Sequence, residues 1–114
     1  DDESVLNLAC SILRRYGYRT QTALDGESAV ETYRSETGRF DLVILDLNMP
    51  GMGGHKCLEE LKRLDADLRV IIASGYPPDE ETQEILQDLR GGFVAKPYRI
   101  DDLIGQVRTV LDLA

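Results

Sequence analysis

The sequence contains little of what several protein classes require. Its 114 residues include no tryptophan, one histidine and two cysteines. Cys10 and Cys57 lie far apart, without a CxxC pair or a histidine cluster at zinc-site spacing, so we expect two reduced thiols and no structural zinc site. The length fits one domain with a single buried core and excludes a catalytic domain joined to a regulatory one.

Long hydrophobic runs and an excess of positive charge are also missing. The longest apolar runs, such as 42–45 and 70–73, are far shorter than the ~20 residues that cross a bilayer. The printed sequence opens without a basic segment followed by an apolar stretch, so we expect no signal peptide, no membrane contact and a cytoplasmic location. Thirteen Lys and Arg against 21 Asp and Glu, in no basic block, argue against direct nucleic-acid binding.

Hydrophobic periodicity predicts amphipathic helices that alternate with short strands. The strands are predicted at 19–23, 42–45, 69–73 and 93–95, and helices precede, separate and follow them. Two of these strands are apolar at nearly every position, a pattern typical of parallel strands covered on both faces. The sequence therefore predicts an α/β fold with a doubly wound parallel sheet.

The handedness of parallel connections predicts how the helices are distributed. Right-handed crossovers place the first and last helices on one face of the sheet and the middle three on the other. Cys10 and Cys57 would then lie on opposite sides of the sheet, too far apart for a disulfide.

Three polar residues follow predicted strands. They are Asp46, Ser74 and Lys96, and Asp1 and Asp2 stand ahead of the first helix. Ligands of open α/β sheets bind at the carboxyl ends of the strands, so we expect these side chains to converge there. Asp46 taken alone also fits a turn or helix N-cap.

The combination of these residues indicates a particular chemistry. Three carboxylates in one patch repel one another and need a cation, and oxygen ligands suit Mg²⁺ better than zinc or copper. A divalent metal, the Lys96 ammonium and the Ser74 hydroxyl would together neutralise and orient a phosphoryl group. Asp46, the central carboxylate, would be its acceptor.

Five sequence motifs resemble the receiver domain of two-component response regulators over the whole chain. The motifs are the acidic start at 1–3, the stretch 41–54 around Asp46, Ala73-Ser74-Gly75, Phe93, and Lys96-Pro97. The resemblance implies a flavodoxin-like five-stranded parallel sheet of order 2-1-3-4-5. It also implies a phosphorelay function in which a histidine kinase or phosphotransfer domain phosphorylates the receiver.

The resemblance assigns a role to each matching residue. Asp46 corresponds to the phosphoacceptor, and Asp1, Asp2, Asp46 and the backbone carbonyl of Asn48 correspond to the Mg²⁺ ligands. Ser74 and Lys96 contact the phosphoryl group, and Ser74 with Phe93 forms the switch. Asn48 and Tyr76 match the positions that tune hydrolysis, and Lys96-Pro97 matches a cis peptide. The resemblance also implies a partner or homodimer surface on the face formed by the fourth helix, the last strand and the fifth helix.

The chain departs from the family pattern in two places. The first strand, which lies at the centre of the family's sheet, is absent from residues 1–114, so we expect a single receiver domain truncated at its N-terminal strand. Its loss would separate the second and third strands and leave two backbone ladders unpaired, unless about five apolar residues upstream or another chain supply a strand. The passage Leu89-Arg90-Gly91-Gly92 replaces a common Gly-Ala and, together with Tyr76 and Tyr98, resembles receivers of hybrid sensor histidine kinases.

Two other functions compete with this interpretation. A phosphatase of the haloacid dehalogenase type would need an acid two residues after Asp46, where Asn48 cannot transfer a proton. A receiver-like module that binds partners without phosphorylation is the alternative that remains open. In either case we expect no turnover enzyme within this domain, although it would assist its own phosphorylation and slow dephosphorylation, and the parent protein could be a histidine kinase.

Overall fold

The computed structural model of the protein describes residues 2–23, 30–31, 34, 40–47, 54–65, 68–75, 80–89, 91–96 and 98–111. In chain order the elements are α1 (Asp2–Arg15), β1 (Thr20–Ala23), β2 (Leu42–Leu47), α2 (Gly54–Leu64), β3 (Arg69–Ser74), α3 (Glu80–Asp88), β4 (Gly92–Ala95) and α4 (Ile100–Val110). Val30, Glu31 and Arg34 are helical where the sequence predicts a further helix between β1 and β2. None of the described helices combines the length and apolarity needed to cross a bilayer.

The strands form one parallel sheet of order β1-β2-β3-β4. The central pair is in register from Leu42 beside Arg69 to Leu47 beside Ser74. Strand β4 adds to β3 from Gly92 beside Ile71 to Ala95 beside Ser74. The predicted alternation of helices with a parallel sheet is therefore confirmed.

The expected gap in the sheet is not present. Strand β1 pairs directly with β2, from Thr20 beside Leu42 to Ala23 beside Leu45. The sheet keeps the family order with the first strand left out, so it has four strands over the described residues instead of five. Buried backbone donors and acceptors are costly when unpaired, and direct pairing of the two flanking strands satisfies them. The expectation of two open ladders was wrong for this reason.

Each face of the sheet is covered by a separate hydrophobic core. Leu42 and Ile44 of β2 pack with α1 and α4, whereas Val43 and Leu45 pack with α2 and α3. All four of these side chains are fully buried. Strict alternation between two cores explains why β2 has no polar position in this stretch. The predicted placement of the first and last helices on one face is confirmed.

Helix α1 ends where the sequence predicts. Gly17 has a φ of 89°, which glycine adopts without the steric penalty that a Cβ would bring. The Gly17 N–H donates to Arg14 O, and the Tyr18 N–H donates to Leu13 O, each at 3.0 Å. This pair of hydrogen bonds is a Schellman cap, and it directs the chain into β1.

Cys10 of α1 is a free, half-buried thiol. Its reactivity toward alkylating reagents depends on how much of the thiol is deprotonated. Burial raises the pKa of the Cys10 thiol, and the positive charge of Arg14 offsets part of that rise. Since the thiolate is the nucleophile, we expect iodoacetamide to label Cys10 at pH 8 at least about tenfold more slowly in the native than in the urea-unfolded chain. Labelling should accelerate as the pH increases and the thiolate fraction grows.

Peptide mapping by mass spectrometry measures this rate for Cys10 separately from Cys57. Equal rates for Cys10 in the native and unfolded chains would contradict the prediction.

Candidate functional site

The carboxyl ends of β2 and β3 place two of the predicted site residues on adjacent strands. Asp46 lies beside Ala73, and the next residue, Leu47, lies beside Ser74. Neighbouring strands are about 4.8 Å apart and residues along a strand about 3.3 Å apart, so the Cα atoms of Asp46 and Ser74 are about 6 Å apart. The edge of the sheet thus brings these two positions together, as the sequence predicts.

Lys96 joins this group by extending the ladder beyond β4. Its backbone N–H donates to the carbonyl of Ser74 at 2.9 Å, one residue after the last paired position, Ala95. By the same spacing its Cα lies about 12 Å from that of Asp46. A lysine stem is flexible and long enough to cover much of that distance. Asp46, Ser74 and Lys96 therefore come from three consecutive strands at one edge.

The three described side chains of the predicted site differ in burial. Ser74 is buried, with 5% of its surface exposed, whereas Lys96 is half-buried. Phe93 is half-buried and packs against the core that contains Ile72 of β3 and Leu86 of α3. Phe93 therefore links β4 to the α3 side of the sheet.

The first turns of helices α3 and α4 add negative charge to the same edge of the sheet. Each helix that follows a parallel strand begins near the carboxyl end of that strand. Glu80 and Glu81 open α3, and Asp101 and Asp102 lie in the first turn of α4. Asp102 accepts a hydrogen bond from the backbone N–H of Arg99 at 3.0 Å. The positive end of the helix dipole stabilises acidic side chains in a first turn, and these acids add negative charge near the carboxyl edge of the sheet.

Part of the predicted site lies outside the described residues. Asp1, Asn48, Tyr76 and Pro97 belong to that part, and of Asp2 and Asp46 the structure describes the backbone only. Within the described residues, no three acidic, cysteine or histidine side chains are grouped so that they could hold a metal ion. Asp2 begins α1, and a short connection returns α1 to the start of β1, so Asp2 lies at the carboxyl edge with Asp46.

Sequence reasoning missed the structural role of Gly91 and Gly92. It treated them only as a departure from the family pattern, whereas the structure places both where a side chain would collide with a neighbouring element. Two consecutive glycines between a helix and a strand were the available signal, but glycine pairs also mark ordinary turns. The contacts themselves are tertiary and leave no pattern in the sequence.

Comparison with known proteins agrees with this fold. The open parallel α/β sheet, with polar residues at its carboxyl edge, belongs to the flavodoxin-like class. Residues 1–108 match the family model described as response regulator receiver domain. The chain belongs to this family, and it is a receiver domain of two-component signalling.

Individual relatives place this domain in proteins of different lengths. The chain is 33% identical over 113 residues to sporulation initiation phosphotransferase F of Bacillus subtilis, covering 99% of this chain and 90% of that protein. It is 30% identical over 112 residues to the sensor kinase CckA of Brucella abortus, covering 98% of this chain but only 12% of the kinase. The chain thus spans about an eighth of the length of that sensor kinase.

A solved structure gives the corresponding structural likeness. The response regulator TrrA from Thermotoga maritima, in complex with Mg(2+)-BeF, is 28% identical, with a TM-score of 0.66. The alignment covers 96% of this chain and 92% of TrrA.

Proposed function

We propose that this domain accepts a phosphoryl group on Asp46 from a phosphohistidine of a histidine kinase or phosphotransfer domain. The observation that carries the proposal is the register at the carboxyl edge, where Asp46 is next to the last residue of β2, Ser74 is the last residue of β3 and Lys96 directly follows β4. An acid, a hydroxyl and an amine on adjacent strands are the groups that phosphoryl transfer needs for attack, hydrogen bonding and charge neutralisation.

The transfer step uses the carboxylate of Asp46 as the nucleophile. One carboxylate oxygen forms a bond to phosphorus while the P–N bond of the phosphohistidine breaks, and the imidazole leaves. The ammonium of Lys96 offsets the negative charge of the phosphoryl oxygens, and the Ser74 hydroxyl donates a hydrogen bond to one of them. The domain thus assists its own phosphorylation and its slow hydrolysis without being a turnover enzyme.

The chemistry of the edge fits Mg²⁺ as the cofactor. Asp1, Asp2, Asp46 and the backbone carbonyl of Asn48 would hold it, and all four supply the oxygen ligands that Mg²⁺ prefers. The acids in the first turns of α3 and α4 further favour a cation at this edge. When bound, the metal would neutralise the carboxylates and the incoming phosphoryl oxygens. The Mg(2+)-BeF complex of TrrA supports this assignment by similarity.

Phosphorylation would act as a switch between two populations of the domain. Ser74 would move to the new phosphoryl oxygens, and Phe93 would follow inward. By strand alternation Ser74 is on the same face as Ile72, and Phe93 of the neighbouring strand packs against that face. The face formed by α3, β4 and α4 corresponds to the fourth helix, last strand and fifth helix of the sequence analysis. This face then changes its affinity for a partner, including a second copy of the chain. The likeness to CckA supports placing the domain in a hybrid sensor histidine kinase.

Intact-protein mass spectrometry tests the proposed function. After incubation with acetyl phosphate and Mg²⁺, we expect the mass to increase by one phosphoryl group, and we expect no increase when a chelator removes the metal. Absence of the added mass in both conditions, in protein that remains folded, would favour the module that binds partners without phosphorylation.

A further inference from the structure

Arginines gather at the amino edge of the sheet, where the parallel strands begin. Arg14 and Arg15 are in the last turn of α1, and Arg108 is in the last turn of α4. Both helices run antiparallel to the strands and therefore end at this edge. Arg19 directly precedes β1, and the side chains of all these arginines are exposed. We call Arg14, Arg15, Arg19 and Arg108 the basic edge.

The two helices that carry most of the basic edge lie side by side on one face of the sheet. Leu13 of α1 shares a core with Val107 and Val110 of α4, and the two helices are in contact. The axes of packed helices are about 8–10 Å apart. Arginine side chains are long and flexible, so those at the ends of the two helices can reach the same small area.

Basic residues at the end of a helix on the other face of the sheet are neutralised. In the last turn of α2, Lys62 forms an ion pair with Asp88 at 3.1 Å. Its neighbour Arg63 forms one with Glu60 at 2.8 Å. Within the part of the chain that the structure describes, no carboxylate forms an ion pair with a side chain of the basic edge. The favourable helix dipole explains basic residues at either place, but only the basic edge leaves their charge available.

Tyr16 adds an exposed aromatic ring to the basic edge. It directly follows Arg15, and 77% of its surface is exposed. The guanidinium of Arg19 lies over the ring of Phe40, 5.0 Å from its centre. The Asp41 carboxylate accepts a hydrogen bond from the backbone N–H of Arg19 at 2.8 Å and offsets part of the positive charge there. A ring with a polar tip beside arginines is typical of surfaces that meet the headgroup region of a bilayer.

We propose that the basic edge docks on a bilayer surface that contains anionic phospholipids. Clusters of about four or more Lys and Arg bind such surfaces through the lipid headgroups. The sequence alone predicts no membrane contact, because its basic residues form no block; the fold assembles the cluster from separate parts of the chain. An edge built from helix ends suits a planar surface, whereas nucleic-acid binding uses an element that enters a groove or a track of stacking rings.

The net charge of −8 permits this docking, because acidic residues lie toward the opposite edge. Along α4, Asp101 is about 10 Å farther from the amino edge than Arg108, and along α1, Asp2 is about 20 Å farther than Arg15. The Debye length at physiological ionic strength is about 8 Å, so their repulsion from the lipid is screened. The same polarity directs the carboxyl edge, with Asp46, away from the bilayer and toward a phosphodonor.

Co-sedimentation with vesicles tests the docking. At about 0.15 M ionic strength, we expect the domain to bind vesicles made of equal parts of phosphatidylcholine and phosphatidylglycerol, and to stay in solution with phosphatidylcholine alone. Arg15→Gln and Arg108→Gln should each lower the partition coefficient about fivefold, and the double variant about 25-fold. Binding of the double variant at the wild-type level would overturn the proposal.

Arg99 offers a matched control at the other end of the same helix. It is the exposed N-cap residue of α4. Arg99→Gln removes the same charge as Arg108→Gln and keeps the backbone N–H that donates to Asp102. This variant should bind the anionic vesicles like the wild type. Equal losses for Arg99→Gln and Arg108→Gln would mean that net charge controls the binding, and the basic edge would lose its assigned role.

Two competitors distinguish a lipid surface from other anions. Neither a double-stranded DNA oligonucleotide nor inorganic phosphate, at a phosphate concentration equal to that of the lipid, should release the domain from anionic vesicles. Release by the DNA alone would overturn the lipid assignment in favour of nucleic acid. Release by inorganic phosphate would reduce the basic edge to a site for small anions.

Phosphorylation of vesicle-bound protein tests the orientation. With acetyl phosphate and Mg²⁺, the bound domain should gain the phosphoryl group at the rate of the free domain, because the carboxyl edge faces the solution. A loss of phosphorylation only on the vesicles would overturn this orientation. Vesicle binding is measured on unphosphorylated protein, so a domain that accepts no phosphoryl group under any condition would overturn the proposed function and leave the docking result unaffected.

Discussion

Replacing Asp46 with asparagine is expected to give a folded domain that takes up no phosphoryl group. The amide is close to the carboxylate in shape, so the backbone pairing of Asp46 with Ala73 and the sheet should persist. An amide oxygen is a poor nucleophile, and the substitution also removes one negative ligand from the cation site. We expect the phosphorylation rate with acetyl phosphate and Mg²⁺ to decrease at least about a thousandfold.

A time course of intact mass measures this loss, and thermal unfolding followed by circular dichroism verifies the fold. Glu59→Gln is the matched control, because it also removes one negative charge but at an exposed position of α2. This control should be phosphorylated like the wild type. Phosphorylation of Asp46→Asn at the wild-type rate would mean that another residue is the acceptor.

The apolar strands were the most predictable part of the fold. A run such as Leu42–Leu45 has no polar position, and only coverage of both faces makes such a strand stable. In the structure these four residues alternate between the two cores. Local composition was sufficient here because burial on both sides affects every residue of the strand.

Strand pairing was less predictable, because it depends on tertiary structure. The family order implied an open gap beside β2, whereas Thr20 to Ala23 fill that position. Nothing in a four-residue strand identifies its neighbour, since any strand can supply backbone donors and acceptors. The need to pair those groups decided the arrangement.

The candidate site was predictable as a set of positions. Asp46, Ser74 and Lys96 each follow an apolar run, and parallel strands bring such residues to a common edge. The N–H of Lys96 bonded to Ser74 O supports that inference directly. The close packing at Gly91 was not predictable, because the atoms that exclude a side chain belong to Val70 and Leu86, which are distant in sequence or on another element.

Replacing Gly91 with alanine is expected to lower the free energy of unfolding by about 1–3 kcal/mol. The new Cβ would approach the Val70 carbonyl to 2.6 Å, and this oxygen belongs to the backbone of a central strand. Relief would require β3 or the end of α3 to shift, with loss of packing at Leu86 and Leu89. Since whole domains are stable by only about 5–15 kcal/mol, the change is a substantial fraction of the total.

Two further glycines make the prediction specific to packing. Gly105→Ala places a methyl group in open space within α4, and the higher helix propensity of alanine should raise the stability by about 0.5–1 kcal/mol. Gly92→Ala should fall between the two, because one of the atoms it meets is the end of the flexible Gln106 side chain. Urea denaturation of the three variants measures the order. A Gly91→Ala protein as stable as Gly105→Ala would contradict the close contact with Val70, because helix propensity accounts for only about 0.5–1 kcal/mol of the expected difference and the rest comes from the space that receives the methyl group.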